Sequence, residues 1–243
     1  MRSSSKTPQP TKKPGKLRKL VLGALFFALL LPPSQILLVR WINPSLTTVM
    51  IQRKIQYPDW PREHCWIALN QIPESLQWYA ILSEDGRFFD HKGIDWEELK
   101  SVFETWKKQG APPRGASTIT MQTARSLFLW QGRSYLRKGL ECYYAFWMEC
   151  LLSKQRIFEL YLNGIETGPG VYGMSSAAIY HFQAPLDRIT KQQQALLIAI
   201  LPNPIEWSAN TPSRQVRRRQ KRILVNSQKW KKPNELNFLN QMP

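Results

Sequence analysis

Acidic residues, cysteine and strand-like alternation are all scarce in this 243-residue chain. Its 17 Asp and Glu face 34 Lys and Arg, a formal charge of +17 at pH 7. Such an excess points to a polyanionic partner: nucleic acid, an anionic membrane surface or a phosphorylated substrate. The three cysteines, Cys65, Cys142 and Cys150, are odd in number and lack metal-ligand spacing. Cys142 and Cys150 fall eight apart in one helical pattern, too far along its axis for a disulfide. A disulfide framework and a zinc site are therefore excluded as expectations. No stretch alternates convincingly between apolar and polar residues, and no internal repeat is visible, so the expected class is mainly helical. With 43% hydrophobic residues the chain can bury one core but hardly two large domains.

Charge and hydropathy are unevenly distributed. Residues 1–19 carry Arg2, Lys6, Lys12, Lys13, Lys16, Arg18 and Lys19 and no acid. Leu20 to Val39 is then largely apolar, about the 20 residues a bilayer-spanning helix needs. Basic residues ahead of the span predict a cytoplasmic N-terminus. No small-x-small cleavage site follows, so an uncleaved signal anchor is preferred over a removed signal peptide. Pro32 and Pro33 interrupt the run and leave a cleaved or interfacial segment open. The expected organisation is a basic cytoplasmic tail (1–19), a transmembrane signal anchor (20–40), a connector (41–72), a domain (73–226) and a C-terminal tail (227–243).

Within the domain, helical spacing is expected over 73–82 and along the face Trp96, Leu99, Val102, Phe103 and Trp106. A loop follows at 109–115, then helices at 119–129, 134–152, 154–162, 175–181, 191–201 and 213–226, with Ser153 as an N-cap. Gly164, Gly168, Gly170 and Gly173 crowd one loop.

The chemistry concentrates in ordered clusters. Ser83 to Asp95 packs charges around Phe88 and Phe89 at the end of an apolar run, where the chain must turn. Burial and charged neighbours act oppositely on a carboxylate there, and sequence leaves the balance open. Arg114 to Arg125 follows, then Arg133 to Glu141, then Tyr161-Leu162-Asn163 ahead of the glycine loop. Read alone, Arg137 and Lys138 ahead of Glu141 would form a surface ion pair of about 0.3–0.5 kcal/mol.

Together these clusters resemble the glycosyltransferase family that polymerises peptidoglycan from lipid II (family 51), and most closely its monofunctional biosynthetic transglycosylase branch. Glu84 to Gly93 meets the pattern Glu-Asp-x-x-Phe-x-x-His-x-Gly. Gly115 to Gln122 meets Gly-Ala-Ser-Thr-Ile-Thr-Gln-Gln except at Met121, and Arg137 to Glu141 meets Arg-Lys-x-x-Glu. The resemblance covers residues 51–221. It implies an all-α, lysozyme-like glycosyltransferase domain behind an N-terminal transmembrane helix. The implied reaction is inverting transfer that builds linear glycan and releases undecaprenyl pyrophosphate.

An acceptor hydroxyl that attacks an anomeric carbon needs a base, and a departing pyrophosphate needs cations. The resemblance makes Glu84 the base and Glu141 the second functional glutamate, which orients cations and leaving group. Ser117, Gln122, Arg125, Arg133 and Lys138 are implied for substrate binding, with arginine at 125 where lysine is usual. Asp85, His91 and Asn163 are read as structural. His181, where tyrosine is usual, is a second departure besides Met121.

No metal ligand set is visible, although a divalent cation (Mg or Mn) at the pyrophosphate is compatible with the chemistry. The expected partners are lipid II, the growing lipid-linked glycan, the membrane and other wall-synthesis proteins. Aromatics are not interleaved with basic residues as nucleic-acid stacking requires, so no nucleic acid is expected. The expected location is the bacterial inner membrane, single-pass, with the catalytic domain in the periplasm. Two other readings stay open: a lysozyme-like peptidoglycan hydrolase and a non-catalytic membrane-anchored scaffold. Outside the basic tail there is no Ser-x-x-Lys, so no transpeptidase activity is expected. The arginine-rich 213–226 helix reads as a solvated face or a contact for anionic headgroups.

Overall fold

The structure is a computed structural model that describes residues 15–110, 117–132 and 134–234. Most of the basic tail (1–14) and the end of the C-terminal tail (235–243) lie outside them. Ten α-helices are seen among the described residues: α1 (Lys16–Trp41), α2 (Thr48–Gln56), α3 (Glu74–Glu84), α4 (Trp96–Gln109), α5 (Ile119–Phe128), α6 (Tyr135–Leu151), α7 (Lys154–Gly164), α8 (Met174–Phe182), α9 (Lys191–Ile200) and α10 (Arg214–Lys229). Three short strands join them: β1 (Glu63–His64), β2 (Glu166–Gly168) and β3 (Val171–Tyr172). They pair in the order β1-β3-β2, β1 parallel and β2 antiparallel to β3. Strands of two or three residues are too short for alternation to show in a sequence. The class is mainly helical.

Local chemistry explains where the helices start. Thr47, Asp95, Thr118, Ser134, Ser153, Thr190 and Ser213 each accept a hydrogen bond from a first-turn backbone N–H. Each satisfies a donor that the helix itself leaves unpaired. α7 and α9 are buried on nearly every side, as central helices of a core are. α9 packs against α3 and α10, while α5 packs against α6 and α7. These two groups form the walls of the site described below.

Residues 41–72, expected as a connector, supply α2 and β1. Val49 and Met50 of α2 are buried against Tyr172, and Arg53 makes a two-pronged ion pair with Glu166 at 2.8 and 2.9 Å. β1 meets the glycine loop closely, and Glu63 N–H donates to the Gly170 carbonyl at 2.9 Å. A Cβ on Gly170 would fall 2.0 Å from the Pro61 carbonyl oxygen, so no other residue fits that approach.

α1 runs unbroken through Pro32 and Pro33, and its second half docks on α6. Pro32, Ile36 and Val39 are buried there. Tyr144 OH donates to Gln35 at 2.6 Å, and Arg156 holds the helix end by donating to the Val39 and Ile42 carbonyls. Among the described residues no helix is long and apolar enough to cross a membrane. The side chains of Leu22, Ala24, Leu25 and Ala28, within the expected anchor, lie outside the described ones.

The helix expected around Trp96 to Trp106 forms, but Trp96 (70% exposed), Phe103 and Trp106 stay out of the core. Most tryptophans likewise sit at the surface or half-buried, and among those described only Trp78 is in the buried core. The aromatics of α6 divide: Tyr144 is buried, while Phe146 is exposed.

Candidate active site

The site begins where α3 stops. The helix ends at Glu84, and Asp85 follows with its N–H donating to the Ile81 carbonyl at 2.9 Å. The buried Asp85 carboxylate accepts from His91 Nε2 at 3.0 Å and from Ile119 N–H, in the first turn of α5, at 2.9 Å. A carboxylate suits that position, because the unpaired N–H groups and dipole of a helix N-terminus favour negative charge. Asp85 thus joins the end of α3 to the start of α5, and His91 spends its Nε2 on the same joint. Thr118 strengthens it, since its hydroxyl donates to the Gly93 carbonyl at 2.6 Å. Lys154 closes the turn from below, donating to the His91 carbonyl at 2.7 Å and lying 4.4 Å from the Phe88 ring centre.

This frame presents Glu84 to a cleft of about 980 Å³. One wall carries Ser117, Gln122 and Arg125. The other carries Ser83, Leu201, Pro202, Trp207 and, from α10, Arg214, Arg218, Arg219 and Arg222. The Glu84 side chain is 11% exposed. Arg219 Nη2 donates to Glu84 Oε1 at 3.1 Å and to Ser83 Oγ at 3.2 Å, while its Nε donates to the Ala199 carbonyl. Burial pushes the Glu84 carboxyl above its usual range, and Arg219, the Ser83 hydroxyl, the Gln122 amide and Arg125 pull back. Burial outweighs the cations.

Gln122 is held at both ends. Tyr161 OH lies 3.5 Å from its Oε1, and its Nε2 donates to the Ser117 carbonyl at 3.2 Å. That fixes the amide with its nitrogen available to acceptors at the cleft. Burial, ahead of the nearby Glu84 charge, drives the Tyr161 phenol well above its usual value, so it is a permanent donor.

Glu141 is 1% exposed and is not among the described residues of the cleft lining. Arg137 pairs with one of its oxygens, and Lys138 Nζ donates to the other at 3.1 Å. Lys138 Nζ also donates to Ser117 Oγ at 2.6 Å. Glu141 therefore sits beneath the cations, and Lys138 and Ser117 connect it to the cleft. This is a buried pair rather than a surface one, and losing one partner would strand a charge.

The structure thus brings together Glu84, Ser117, Gln122 and Arg125, with Lys138 one contact behind and Glu141 behind Lys138. Arg133 lies outside the described residues, as do Gly115 and Ala116 of its neighbouring motif. Asn163 is wholly buried and spends its amide on the backbone of Ile67 and Glu159. The two motif departures are interior: Met121 is 2% exposed, and His181 bonds the Thr167 carbonyl at 2.9 Å. Burial lowers the His181 pKa, so it stays neutral near pH 7.

Sequence reading missed Ser83, Trp207 and the arginines of α10. The available signal was arginine at 214, 218 and 222, one helical face. Spacing alone did not tell whether that face met solvent, headgroups or a cleft.

Comparison with known proteins agrees with this geometry. Residues 52–228 match the family model described as Transglycosylase. A biosynthetic peptidoglycan transglycosylase of Stutzerimonas stutzeri is 40% identical over 210 residues, covering 84% of each chain. One from Pseudomonas aeruginosa is 40% identical over 198 residues, 79% of this chain and 83% of the relative. One from Caulobacter vibrioides is 39% identical over 208 residues, 85% and 89%. With the match spanning the turn at Glu84, the α5 wall and the arginines of α10, this chain belongs to the transglycosylase family.

Proposed function

We propose that the protein is a peptidoglycan glycosyltransferase that joins lipid II units into linear glycan. The observation that carries this reading is one buried carboxylate, Glu84, sharing a cleft with Arg125 and with Lys138 held behind Ser117. A base for a sugar hydroxyl and cations for a departing pyrophosphate are what the transfer requires. The Glu84 carboxylate takes the proton of the acceptor hydroxyl as its oxygen bonds to the donor's anomeric carbon. The bond from that carbon to the pyrophosphate breaks, and the lipid pyrophosphate leaves with the electron pair. Attack opposite the leaving group inverts the anomeric carbon.

Proton removal by a positioned base contributes about 10²–10⁴-fold. A carboxyl raised by burial is a stronger base than a free one, and Arg219 favours its ionised form. Arg125 and Lys138 meet the charge of the leaving pyrophosphate, with Arg133 as a third cation implied by the motif. Glu141 holds Arg137 and Lys138 in place. Gln122 and Ser117 bind sugar or phosphate oxygens. So cationic a cleft favours a phosphate leaving group over hydrolysis of finished glycan.

Among the described residues no three His, Cys, Asp or Glu side chains come together as a metal site. A divalent cation would be held by the substrate's phosphates, and no step is derived through one. The domain is proposed to share the lysozyme-like plan that the motifs imply. We also propose that α1 anchors the protein in the inner membrane with the catalytic domain in the periplasm. Support comes from the basic tail and from Leu20, Phe26, Phe27, Leu29 and Leu30, which are exposed on α1.

The test is polymerisation of lipid II by the purified protein and by Glu84→Gln. The wild type is expected to form glycan that lysozyme digests, and the variant to form none above background. Equal product from both would refute the role of Glu84.

A further inference from the structure

Arg219 has its work at Glu84, but three other arginines of α10 do not. Arg214, Arg218 and Arg222 are exposed, line the cleft and have no ion-pair partner among the described residues. They recur every four residues, so they form a ladder on one face with rungs about 6 Å apart, about 12 Å in all. Val216 and Ile223 bury the opposite face of the helix. α10 contains no acid in Arg214–Lys229. Like charges four apart destabilise a helix, and Arg214 in the first turn also opposes the helix dipole. Among the described residues no acidic side chain pairs with these three arginines, so an anion brought by a ligand is the natural counterpart.

The shape of the ladder selects the anion. The leaving pyrophosphate already has Arg125 on the opposite wall and Lys138 behind Ser117 there, and a compact pyrophosphate would occupy one rung. An extended peptide advances about 3.3 Å per residue, so carboxylates on alternate residues stand about 6.6 Å apart. That matches the rungs, and the planar guanidinium fork matches a carboxylate better than a point charge would. The ladder also shares its wall with Glu84, where the acceptor hydroxyl must lie.

We propose that Arg214, Arg218 and Arg222 bind carboxylates of the peptide carried by the acceptor lipid II, so that the enzyme reads peptide carboxylates as well as sugar. This rests on the glycosyltransferase reading above. It makes substrate choice depend on peptide charge, at a site separate from the leaving-group cations.

The experiment crosses two enzymes with two substrates in neutral detergent. The enzymes are the wild type and R214Q/R218Q/R222Q; the substrates are lipid II with free peptide carboxylates and lipid II with those carboxylates amidated. Exposed ion pairs contribute roughly threefold each. The wild type is therefore expected to favour the free acid about 30-fold in kcat/KM, and the variant to treat both substrates alike. A variant that keeps the preference overturns the proposal, as does one equally impaired on both substrates, which would mark a pyrophosphate site. A deficit that appears only on anionic vesicles overturns it too, in favour of membrane headgroups. Calorimetric binding of the lipid-free disaccharide-peptide to both proteins separates the two readings. If neither protein makes glycan, the function proposed above fails. The ladder then stands or falls on whether the wild type binds that headgroup more tightly than the variant.

Discussion

Replacing Arg219 with glutamine removes the cation nearest the proposed base. The guanidinium lies 3.1 Å from Glu84 Oε1, with side chains 16% and 11% exposed. At that distance even full water screening gives about 1.3 kcal/mol of attraction, and the partly dry setting gives more. That is roughly tenfold in the ratio of ionised to protonated Glu84. Burial has already raised this carboxyl, and losing its largest opposing influence raises it further.

The sign follows from the role. A base works only when ionised, so activity falls below its pKa. The acid limb of kcat/KM against pH therefore moves to higher pH in Arg219→Gln. On that limb the variant is expected to be about tenfold slower or worse, with the gap narrowing as pH rises. Arg219→Lys keeps the charge and should hold the limb close to wild type. The assay is the initial rate of glycan formation from fluorescent lipid II across pH 5–9, with circular dichroism confirming the fold. An acid limb that stays put or moves down in Arg219→Gln would refute this account of Glu84. A uniform loss at every pH would assign Arg219 to binding instead.

Other outcomes follow from the same geometry. Glu141→Ala strands Arg137 in the interior and is expected to lower stability by about 3 kcal/mol or more in urea unfolding, with activity lost as Lys138 loosens. Retention of full stability would show that Glu141 does not organise those cations. Gly173 has φ 79° and ψ 161°, a region open essentially to glycine alone, and a Cβ there would lie 2.7 Å from the Asn163 carbonyl oxygen. Gly173→Ala should cost about 1–3 kcal/mol from the backbone alone, and an unchanged melting temperature would contradict it. Arg156→Ala should speed hydrogen exchange at residues 36–41 of α1 while leaving α9 protected, because it removes the donors to the Val39 and Ile42 carbonyls.

Much of this was legible in the chain. Helix positions followed from apolar spacing and from a capping residue such as Ser153, because both act within a few residues. The segment Ser83 to Asp95 stood out because charges crowd a turn after an apolar run, and the family resemblance singled out Glu84 within it. α2 and β1 were not legible as parts of the domain. Their stability comes from partners far away in sequence, such as Arg53 with Glu166 and Glu63 with Gly170. The apolar face of α4 was legible as a face, but not as one left uncovered, since periodicity says nothing of what packs against it.

By itself the sequence determined the helical class and the basic character, which depend on composition and on contacts a turn or two apart, and its family resemblance pointed to the Glu84 carboxylate. Only the tertiary structure decided what surrounds that carboxylate. It brought Arg219 from 135 residues away to Glu84 and turned an arginine face into a cleft wall. It also buried Glu141 beneath Lys138 instead of leaving a surface pair. The physical reason is that burial and long-range pairing set the energy of a charge, and both arise only when distant helices pack together.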